Sequence, residues 1–251
     1  MVLAMNIGNT NLSIGLMEGG YINATRYPID FILSQDGLMK VIRQPLAGTT
    51  ESVTGVIISS VNPNLTEHLE NAAKELFAVS PLIVNTSMRM KLNLSCYDTG
   101  LIGSDRIVVC EAAISKYDMP LIVFDFGTAT TINVVDGNGR FIGGSILPGL
   151  MMGINALAQD TAQLPHIELT SYASLAGRNT QECISSGAIF GNAALVDGMS
   201  DRIEELLGQN ATVIITGGNA NYVIQACQTK AIHSPDLLLE GLYILYQYNI
   251  S

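Results

Sequence analysis

The pattern of apolar and polar positions alternates between short runs typical of strands and longer runs with helical spacing. The chain starts with an apolar strand, a glycine turn rich in asparagine and threonine, and a second apolar strand. The same succession recurs in the middle of the chain, at one constant offset that aligns Asn6 with Asp125 and Gly8 with Gly127. Each half is therefore predicted to open as a β-meander of three strands. The second strand covers residues 12–16 in the first half and 131–135 in the second half. The third strand is clearest in the second half, over residues 140–146.

Helical spacing follows each meander. Apolar residues between positions 65 and 77 recur every three or four residues, with Asn64 and Glu67 placed as a capping pair after Pro63. Short apolar runs flank this helix and predict a βαβ unit. The flanking strands are 55–59 and 81–84, the later helices 150–161, 180–207, 219–230 and 236–248, and a further strand 211–215. We predict an α/β chain of two halves, residues 1–118 and 119–251.

Composition narrows the class of protein. The 251 residues allow one large domain or two smaller ones, and 48% hydrophobic with 14% charged residues exclude a disordered chain. The formal net charge of −10 opposes sequence-independent binding to nucleic acid or an anionic membrane. There is no apolar run of about 18 residues and no basic leader at the start, so a cytoplasmic protein is expected. Four scattered cysteines without a CxxC pair indicate neither a disulfide framework nor a zinc site.

The two glycine turns suggest phosphate binding. A glycine between hairpin strands lets backbone N–H groups approach a phosphate, and flanking threonine hydroxyls add donors. Two such turns facing one another would form a clamp. Asp125, just before the second turn, is placed to hold a divalent cation or its water shell. A single turn of this kind is more often structural, but its duplication at matching positions favours a function.

Two further motifs are open to two interpretations each. The apolar run 213–215 leads into Thr216-Gly217-Gly218 at a predicted helix start, which suits either a nucleotide or a turn that needs positive φ. Asp105 and Arg106 precede a predicted helix over 107–116. They are either substrate-binding residues or a surface pair whose aspartate suits the helix dipole.

Taken together, these motifs resemble the type III pantothenate kinase family, within the acetate and sugar kinase, Hsp70 and actin superfamily. The resemblance implies two duplicated ribonuclease H-like halves, the actin-like ATPase fold. The motifs follow one another in family order over nearly the whole chain. They are Ile7-Gly8-Asn9-Thr10, Ser59-Ser60-Val61-Asn62-Pro63, Gly103-Ser104-Asp105-Arg106, Asp125 to Thr131, Gly143-Gly144, Pro148-Gly149, Gly177-Arg178-Asn179-Thr180, Ser186-Gly187, Thr216-Gly217-Gly218 and Pro235-Asp236-Leu237 with Leu239-Glu240-Gly241-Leu242.

The resemblance implies ATP-dependent phosphorylation of pantothenate to 4′-phosphopantothenate, the first step of coenzyme A biosynthesis. It implies Asp105 as general base and a requirement for Mg²⁺ and a monovalent cation, K⁺ or NH₄⁺. It also implies a homodimer in which Thr180 reaches the pantothenate of the neighbouring subunit. The implied pantothenate-binding residues are Gly103, Arg106, Thr180 and Tyr97, and the implied ATP-binding residues are Asn6, Gly8, Asn9, Thr10, Asn11, Gly127, Thr128, Thr130, Thr131, Thr216, Gly217 and Gly218.

The chain departs from the family pattern at two places. Tyr97-Asp98-Thr99-Gly100 lacks the Asn-Pro usual beside the family tyrosine, and the first glycine loop differs at its first residue. The first glycine loop of the family begins with aspartate, whereas this chain has Asn6, which keeps an acceptor oxygen but lacks the negative charge. An alternative function is therefore a weak or inactive paralogue that acts as a nucleotide-binding regulator or partner protein. The presence of Asp105, Arg106, Asp125 and Thr180 favours the enzyme. Gly187 and Gly191, one helical turn apart, suit either a dimer seam or packing within the chain.

Overall fold

The chain folds into two compact units. The computed structural model describes residues 1–18, 21–31, 35–47, 52–170 and 173–250. Unit 1 comprises Met1–Leu94, Asp98–Lys116 and Asp236–Ser251, and unit 2 comprises Ser95–Tyr97 and Tyr117–Pro235. Each unit is built on a five-stranded mixed sheet with helices, as expected for a duplicated actin-like fold.

Unit 1 carries its sheet in the order β3-β2-β1-β4-β5. The meander β1 to β3 is antiparallel, and β4 and β5 join it in parallel through a helical crossover, which confirms the predicted βαβ unit. The strands are β1 (Val2–Ile7), β2 (Asn11–Glu18), β3 (Tyr21–Pro28), β4 (Gly55–Ser60) and β5 (Leu82–Ile83), and the helices are α1 (Gln35–Arg43), α2 (Pro63–Phe77), α3 (Ser104–Lys116) and α7 (Leu237–Asn249).

Unit 2 repeats this topology with its sheet in the order β10-β9-β6-β7-β8. The meander is again antiparallel, and the two further strands again join it in parallel. The strands are β6 (Leu121–Phe126), β7 (Ala129–Val135), β8 (Phe141–Pro148), β9 (Thr212–Thr216) and β10 (Ala231–His233), and the helices are α4 (Leu150–Asp160), α5 (Thr180–Leu207) and α6 (Ala220–Val223).

The central strand of each sheet is buried on both faces. In β1 and β6 nearly every residue is apolar and inaccessible, as expected of a strand between two helical layers. The polar exceptions are Asn6 and Asp125, each one residue before the end of its strand. Asn6 lies opposite Ser59 on the adjacent parallel strand, and Asp125 lies opposite Thr216. The fold thus places polar residues at the same edge of both sheets.

The structure differs from the sequence predictions in local detail. The helix predicted over 219–230 stops after α6 and one 3-10 turn, Ile224–Ala226, and the chain then enters β10. Where the helix was predicted to continue, Asp197 on α5 accepts the backbone N–H groups of Gln228 and Thr229 instead. Helix α2 is capped by Asn62 rather than by Asn64, because Asn62 Oδ1 accepts the N–H of Leu65 at 3.3 Å and Pro63 occupies the first turn. The sequence also did not predict α1.

The C-terminal helix belongs to unit 1. The sequence predicts a single boundary at residue 118. In the structure, unit 2 begins at Tyr117 after its short part Ser95–Tyr97, and the residues from Asp236 onward belong to unit 1 again. Helix α7 packs on α3, and a Cβ at Gly241 would collide with the carbonyl of Val108, so glycine permits this close approach. Lys116 and Glu240 form an ion pair between the same two helices. Within the described residues no helix has the length and apolar character needed to span a membrane.

Candidate functional site

The start of α3 presents the candidate general base. Asp105 lies in the first turn of this helix, and its Oδ1 accepts the N–H of Arg106 at 2.8 Å. The carboxylate folds back over Gly103, where a Cβ would lie only 2.5 Å from Oδ1. Gly103 is therefore needed for the position of the carboxylate, which the sequence motif alone did not reveal.

Burial sets the electrostatics of this carboxylate. Desolvation raises the pKa of Asp105 above its ordinary value, while the N–H and guanidinium of Arg106 oppose the rise. The Arg106 side chain is only 7% exposed, so the structure excludes the alternative of a solvent-exposed surface pair. Burial likewise raises the pKa of the Cys110 thiol, one turn further along α3, to about 12. Asp105 is therefore a half-buried carboxylate with increased proton affinity, as a general base requires.

A serine pair links α3 to the sheet. Ser104 Oγ lies 2.9 Å from Ser59 Oγ and donates to the carbonyl of Ser60 at 3.1 Å. Ser59 is the residue opposite Asn6 at the end of β4. The pair therefore fixes the first residue of α3 to the strand end and, with it, the neighbouring Asp105. Ser59 and Ser104 each lie in one of the sequence motifs, but the motifs do not predict their contact, because the two residues are 45 positions apart.

A cavity of about 670 Å³ adjoins this helix start within unit 1. Its walls come from the end of β4, the first turns of α2, the residues after β5 and the start of α3. Gly103 and Ser104 form one wall, next to Asp105, while Glu67 and Glu70 lie on the α2 side. This volume suits a small-molecule ligand.

The first glycine loop contains a buried acceptor without a partner. Asn6 is 8% exposed, and its Oδ1 has no hydrogen-bond partner among the described residues. The turn that follows is closed by the N–H of Gly8, which donates to the carbonyl of Asn11 at 3.0 Å. Asn9, Thr10 and Asn11 are exposed. An unpartnered buried oxygen is costly, so this loop favours an added donor or cation.

The second glycine loop is packed more tightly. Gly217, at φ +94°, lies so close to Asp125 that any side chain would collide with the carboxylate and with the backbone of Phe126. Asn219 donates from its backbone N–H to the carbonyl of Phe126 at 3.0 Å and from its side chain to that of Gly127 at 3.2 Å. The structure thus brings Thr216, Gly217 and Gly218 against the loop that contains Gly127 and Thr128.

Two supports of this loop were not predicted as site residues. Asn219 is one, and Gly149 is the other, because a Cβ there would collide with the carbonyl of Thr128.

The threonines after the loop differ in environment. Thr130 is fully buried and its Oγ1 has no partner among the described residues, whereas Thr131 Oγ1 accepts from the side chain of Asn133 at 3.1 Å.

Thr180 and Tyr97 lie elsewhere in unit 2. Thr180 is exposed at the first position of α5, which Asn179 caps by accepting the N–H of Glu182 at 2.9 Å. Tyr97 packs edge-on against Phe141, with ring centroids 4.9 Å apart. Thr180 therefore presents its hydroxyl to solvent.

No cluster of three or more metal-ligating side chains occurs among the residues that the structure describes. Of the residues that precede the two glycine loops, Asp125 has a carboxylate and Asn6 an amide oxygen. A single protein carboxylate such as that of Asp125 fits Mg²⁺, which commonly takes one or two carboxylates and completes its shell with phosphates and waters.

Comparison with known proteins identifies the family. The model of the type III pantothenate kinase family matches residues 2–202. A type III pantothenate kinase from Exiguobacterium sibiricum is 38% identical over 253 aligned positions, covering 99% of this chain and 100% of the relative. The chain belongs to the type III pantothenate kinase family.

Solved structures agree with the fold. A Campylobacter jejuni protein described as a Baf family transcriptional activator superposes with a TM-score of 0.63 at 21% identity, covering 98% of this chain and 97% of that one. A ROK family glucokinase from Streptomyces griseus, solved with glucose and AMPPNP, superposes with a TM-score of 0.50 at 14% identity, covering 98% and 99%. These neighbours support the duplicated actin-like fold predicted for the type III pantothenate kinase family.

Proposed function

We propose that this chain transfers the γ-phosphoryl group of ATP to the hydroxyl of pantothenate, giving 4′-phosphopantothenate and ADP in the first step of coenzyme A biosynthesis. The full-length match to type III pantothenate kinases supports this reaction. The observation that carries it is the Asp105 carboxylate, half-buried, raised in pKa and held over Gly103 beside a cavity of ligand size.

Asp105 acts as the general base. The pantothenate hydroxyl oxygen forms a bond to the γ-phosphorus while the bond from that phosphorus to the β,γ-bridging oxygen breaks and ADP leaves. Asp105 takes the hydroxyl proton and later releases it to solvent. Because phosphoryl transfer depends mainly on positioning and charge neutralisation, the fixed orientation of the carboxylate matters as much as its basicity.

Pantothenate binds next to this base. Gly103 and Ser104 supply the cavity wall that adjoins Asp105. Arg106 contributes a buried guanidinium that attracts the anionic substrate, and the family resemblance adds Tyr97 as a pantothenate-binding residue. The glutamates on the α2 side disfavour the substrate carboxylate there, so its hydroxyl arm, rather than its acidic end, is assigned to this cavity.

ATP binds through the glycine loops and the Thr216-Gly217-Gly218 turn. Backbone groups of Gly8 to Asn11 and of Gly127 to Thr131 hold phosphates, and the glycine turn holds the nucleoside. Asp125 and Asn6 are the residues that would hold Mg²⁺, which supplies charge neutralisation on the phosphates when bound. A monovalent cation, K⁺ or NH₄⁺, completes the proposed requirement.

The active form is a homodimer. Thr180 is exposed on α5, and positions Gly187 and Gly191 on the same helix are exposed with open space around them. This free backbone surface permits close approach of a helix from a second copy.

Mixing an Asp105→Asn variant with a Thr180→Val variant should restore part of the activity, because each mixed dimer keeps one intact site. A mixture as inactive as either variant alone would contradict shared sites.

The alternative of a non-catalytic paralogue is not favoured. A coupled assay for ADP formation with and without pantothenate tests the kinase directly. We expect ADP formation that depends on pantothenate and Mg²⁺ and that K⁺ increases. A protein that binds pantothenate but forms no ADP at saturating ATP would overturn the proposed function.

A further inference from the structure

The segment before α3 is irregular yet firmly held. From Val84 to Gly103 the backbone, described throughout, forms only a single β-bridge at Asn93 and one 3-10 turn, Thr99–Leu101. A stretch of this length without regular structure is uncommon in a compact domain and is usually functional. Side chains of α3 and α7 bind its backbone at residues 89–92, near its middle.

Glu111 provides the strongest of these contacts. It lies on α3 and is completely buried. Its Oε1 and Oε2 each accept the N–H of Lys91 at 3.0 Å, and Oε2 also accepts the N–H of Leu92 at 2.8 Å. Burying a carboxylate is expensive unless donors satisfy it, and hydrogen bonds to a charged acceptor are stronger than neutral ones. Glu111 therefore ties two successive backbone amides to the helix that carries Asp105.

The C-terminal helix holds the same segment one residue earlier. Asn249 pairs with both backbone groups of Arg89, accepting its N–H at 2.9 Å and donating to its carbonyl at 3.0 Å. The Lys91 ammonium also lies 5.9 Å from the centroid of the Tyr248 ring. Residues 89–92 are thus attached to α3 by a carboxylate and to α7 by an amide.

The attachment makes residues 93–103 a closed loop. The loop begins at the Glu111 contact and ends where α3 starts, at Ser104. Glu111 and Ser104 are seven positions apart on one helix, roughly 10 Å at 1.5 Å per residue. A loop whose ends are this close is an Ω-type loop. Its last residues, Ile102 and Gly103, line the cavity beside Asp105, and Gly103 is one of the residues assigned to pantothenate.

We propose that Glu111 is a positioning residue for pantothenate: by tying Lys91 and Leu92 to α3 it closes the 93–103 loop and fixes its last residues, Ile102 and Gly103, which line the cavity beside Asp105. This inference rests on the proposed function for its substrate. Glu111 itself is buried beneath the loop base and does not touch the reacting atoms. Loss of the carboxylate frees the loop at its start, so pantothenate must order it on binding.

The expected signature is selective. Glu111→Gln places an amide N–H₂ where two N–H groups need acceptors, and the KM for pantothenate should rise on the order of tenfold, because misplacement of substrate-binding groups is costly. The KM for ATP should change by less than about twofold, because none of the proposed ATP-binding residues lies on this loop. Hydrogen–deuterium exchange should accelerate over residues 91–103.

Asp197→Asn is the matched control. Asp197 on α5 likewise accepts two successive backbone N–H groups, those of Gln228 at 3.0 and 3.1 Å and of Thr229 at 2.8 Å, but it holds a segment outside the proposed site. This variant should lower the melting temperature without changing the KM for pantothenate. If Glu111→Gln does not fold, Asn249→Ala releases the same segment at Arg89 and should accelerate exchange over 91–103.

The test combines steady-state kinetics on both substrates, calorimetric binding of pantothenate, and exchange on the substrate-free protein. Unchanged exchange over 91–103, equal rises in KM for both substrates, or an equal rise in the pantothenate KM of Asp197→Asn would each overturn the role of Glu111. Failure of the proposed function is distinguishable, because it appears as a wild-type protein without turnover. In that case, hydrogen–deuterium exchange and calorimetric binding of pantothenate still test whether Glu111 holds the 93–103 loop.

Discussion

The two glycine loops occupy equivalent places in sheets of the same topology, yet they are built differently. In unit 1, four residues separate the last paired positions of the hairpin, Ile7 and Leu12, whereas in unit 2 three residues separate Phe126 and Thr130. Asn6 lies buried with an unpartnered oxygen before the first loop. Asp125 brings a negative charge to the same position before the second.

The strands parallel to β1 and β6, which are β4 and β9, also differ in the residues at their ends. Beyond Thr216, unit 2 has Gly217, whose backbone lies against Asp125 where no side chain fits. Beyond Ser59, unit 1 has Ser60, and the two serines contact Ser104 at the start of α3. One duplicated frame therefore supports two chemistries. Unit 2 has glycine backbone where we propose that a nucleotide binds, and unit 1 supplies hydroxyls that hold α3, the helix of the proposed base Asp105.

The largest expected effect is in unit 1. Asp105→Asn removes the proton acceptor while keeping the shape, so kcat should fall on the order of 10²- to 10⁴-fold with ATP binding preserved. Steady-state kinetics together with ATP-binding calorimetry measures this. Asp98→Asn, an exposed carboxylate that accepts the N–H of Gly100 at 3.0 Å, is the control and should leave kcat near the wild-type value. Near wild-type turnover in Asp105→Asn would refute the assignment.

A glycine comparison tests the difference between the loops. Gly217→Ala combines positive φ with a collision against Asp125 and Phe126, so it should lower the free energy of unfolding by about 1–3 kcal/mol or more and raise the KM for ATP. Gly8→Ala places its Cβ 3.6 Å from the Asn11 carbonyl, an ordinary contact, and should change the free energy of unfolding by less than about 1 kcal/mol. Denaturant unfolding of both variants measures the loss in free energy of unfolding for each. Equal losses would contradict the tighter packing of the second loop.

The pH dependence tests the environment of Asp105. Burial raises its pKa, so kcat/KM should decline as the pH falls through a value above the ordinary aspartate range. The guanidinium of Arg106 opposes that rise, so Arg106→Gln should move the acid limb to higher pH, whereas Arg106→Lys, which keeps the charge, should move it less. Because the folded state binds this proton more tightly than the unfolded state, Asp105 contributes less stability as the pH rises through the same window. An acid limb that moves to lower pH in Arg106→Gln would refute this electrostatic coupling.

The smallest effect concerns Asn6. Asn6→Asp gives the first loop the charge that the second already has, so the apparent affinity for Mg·ATP should rise modestly, mainly at high Mg²⁺, where the cation screens repulsion from the phosphates. Kinetics over a Mg²⁺ series on wild type and variant measures this. An unchanged KM and kcat at every Mg²⁺ concentration would show that position 6 is only a turn residue.

Local patterns predicted the frame of the fold better than its contacts. The meanders, the βαβ unit and the long α5 follow from apolar periodicity and from the repeat that aligns Asn6 with Asp125. The helix predicted over 219–230 is present only over 220–226, because the next backbone N–H groups, those of Gln228 and Thr229, bind Asp197 on α5, a contact that periodicity does not encode. The glycine and aspartate motifs supplied the candidate site residues, whose roles stay predictions. The supports of this site, including the Ser59 to Ser104 contact and the carboxylate of Glu111, join distant segments and required the structure.

The most direct test is to identify the product. Purified protein is incubated with ATP, Mg²⁺, K⁺ and pantothenate, and the mixture is analysed by mass spectrometry, with Asp105→Asn treated in parallel. We expect 4′-phosphopantothenate and ADP in equal amounts from the wild type and almost none from the variant. ADP without phosphopantothenate, or phosphopantothenate formed equally by Asp105→Asn, would contradict a pantothenate kinase with Asp105 as its base.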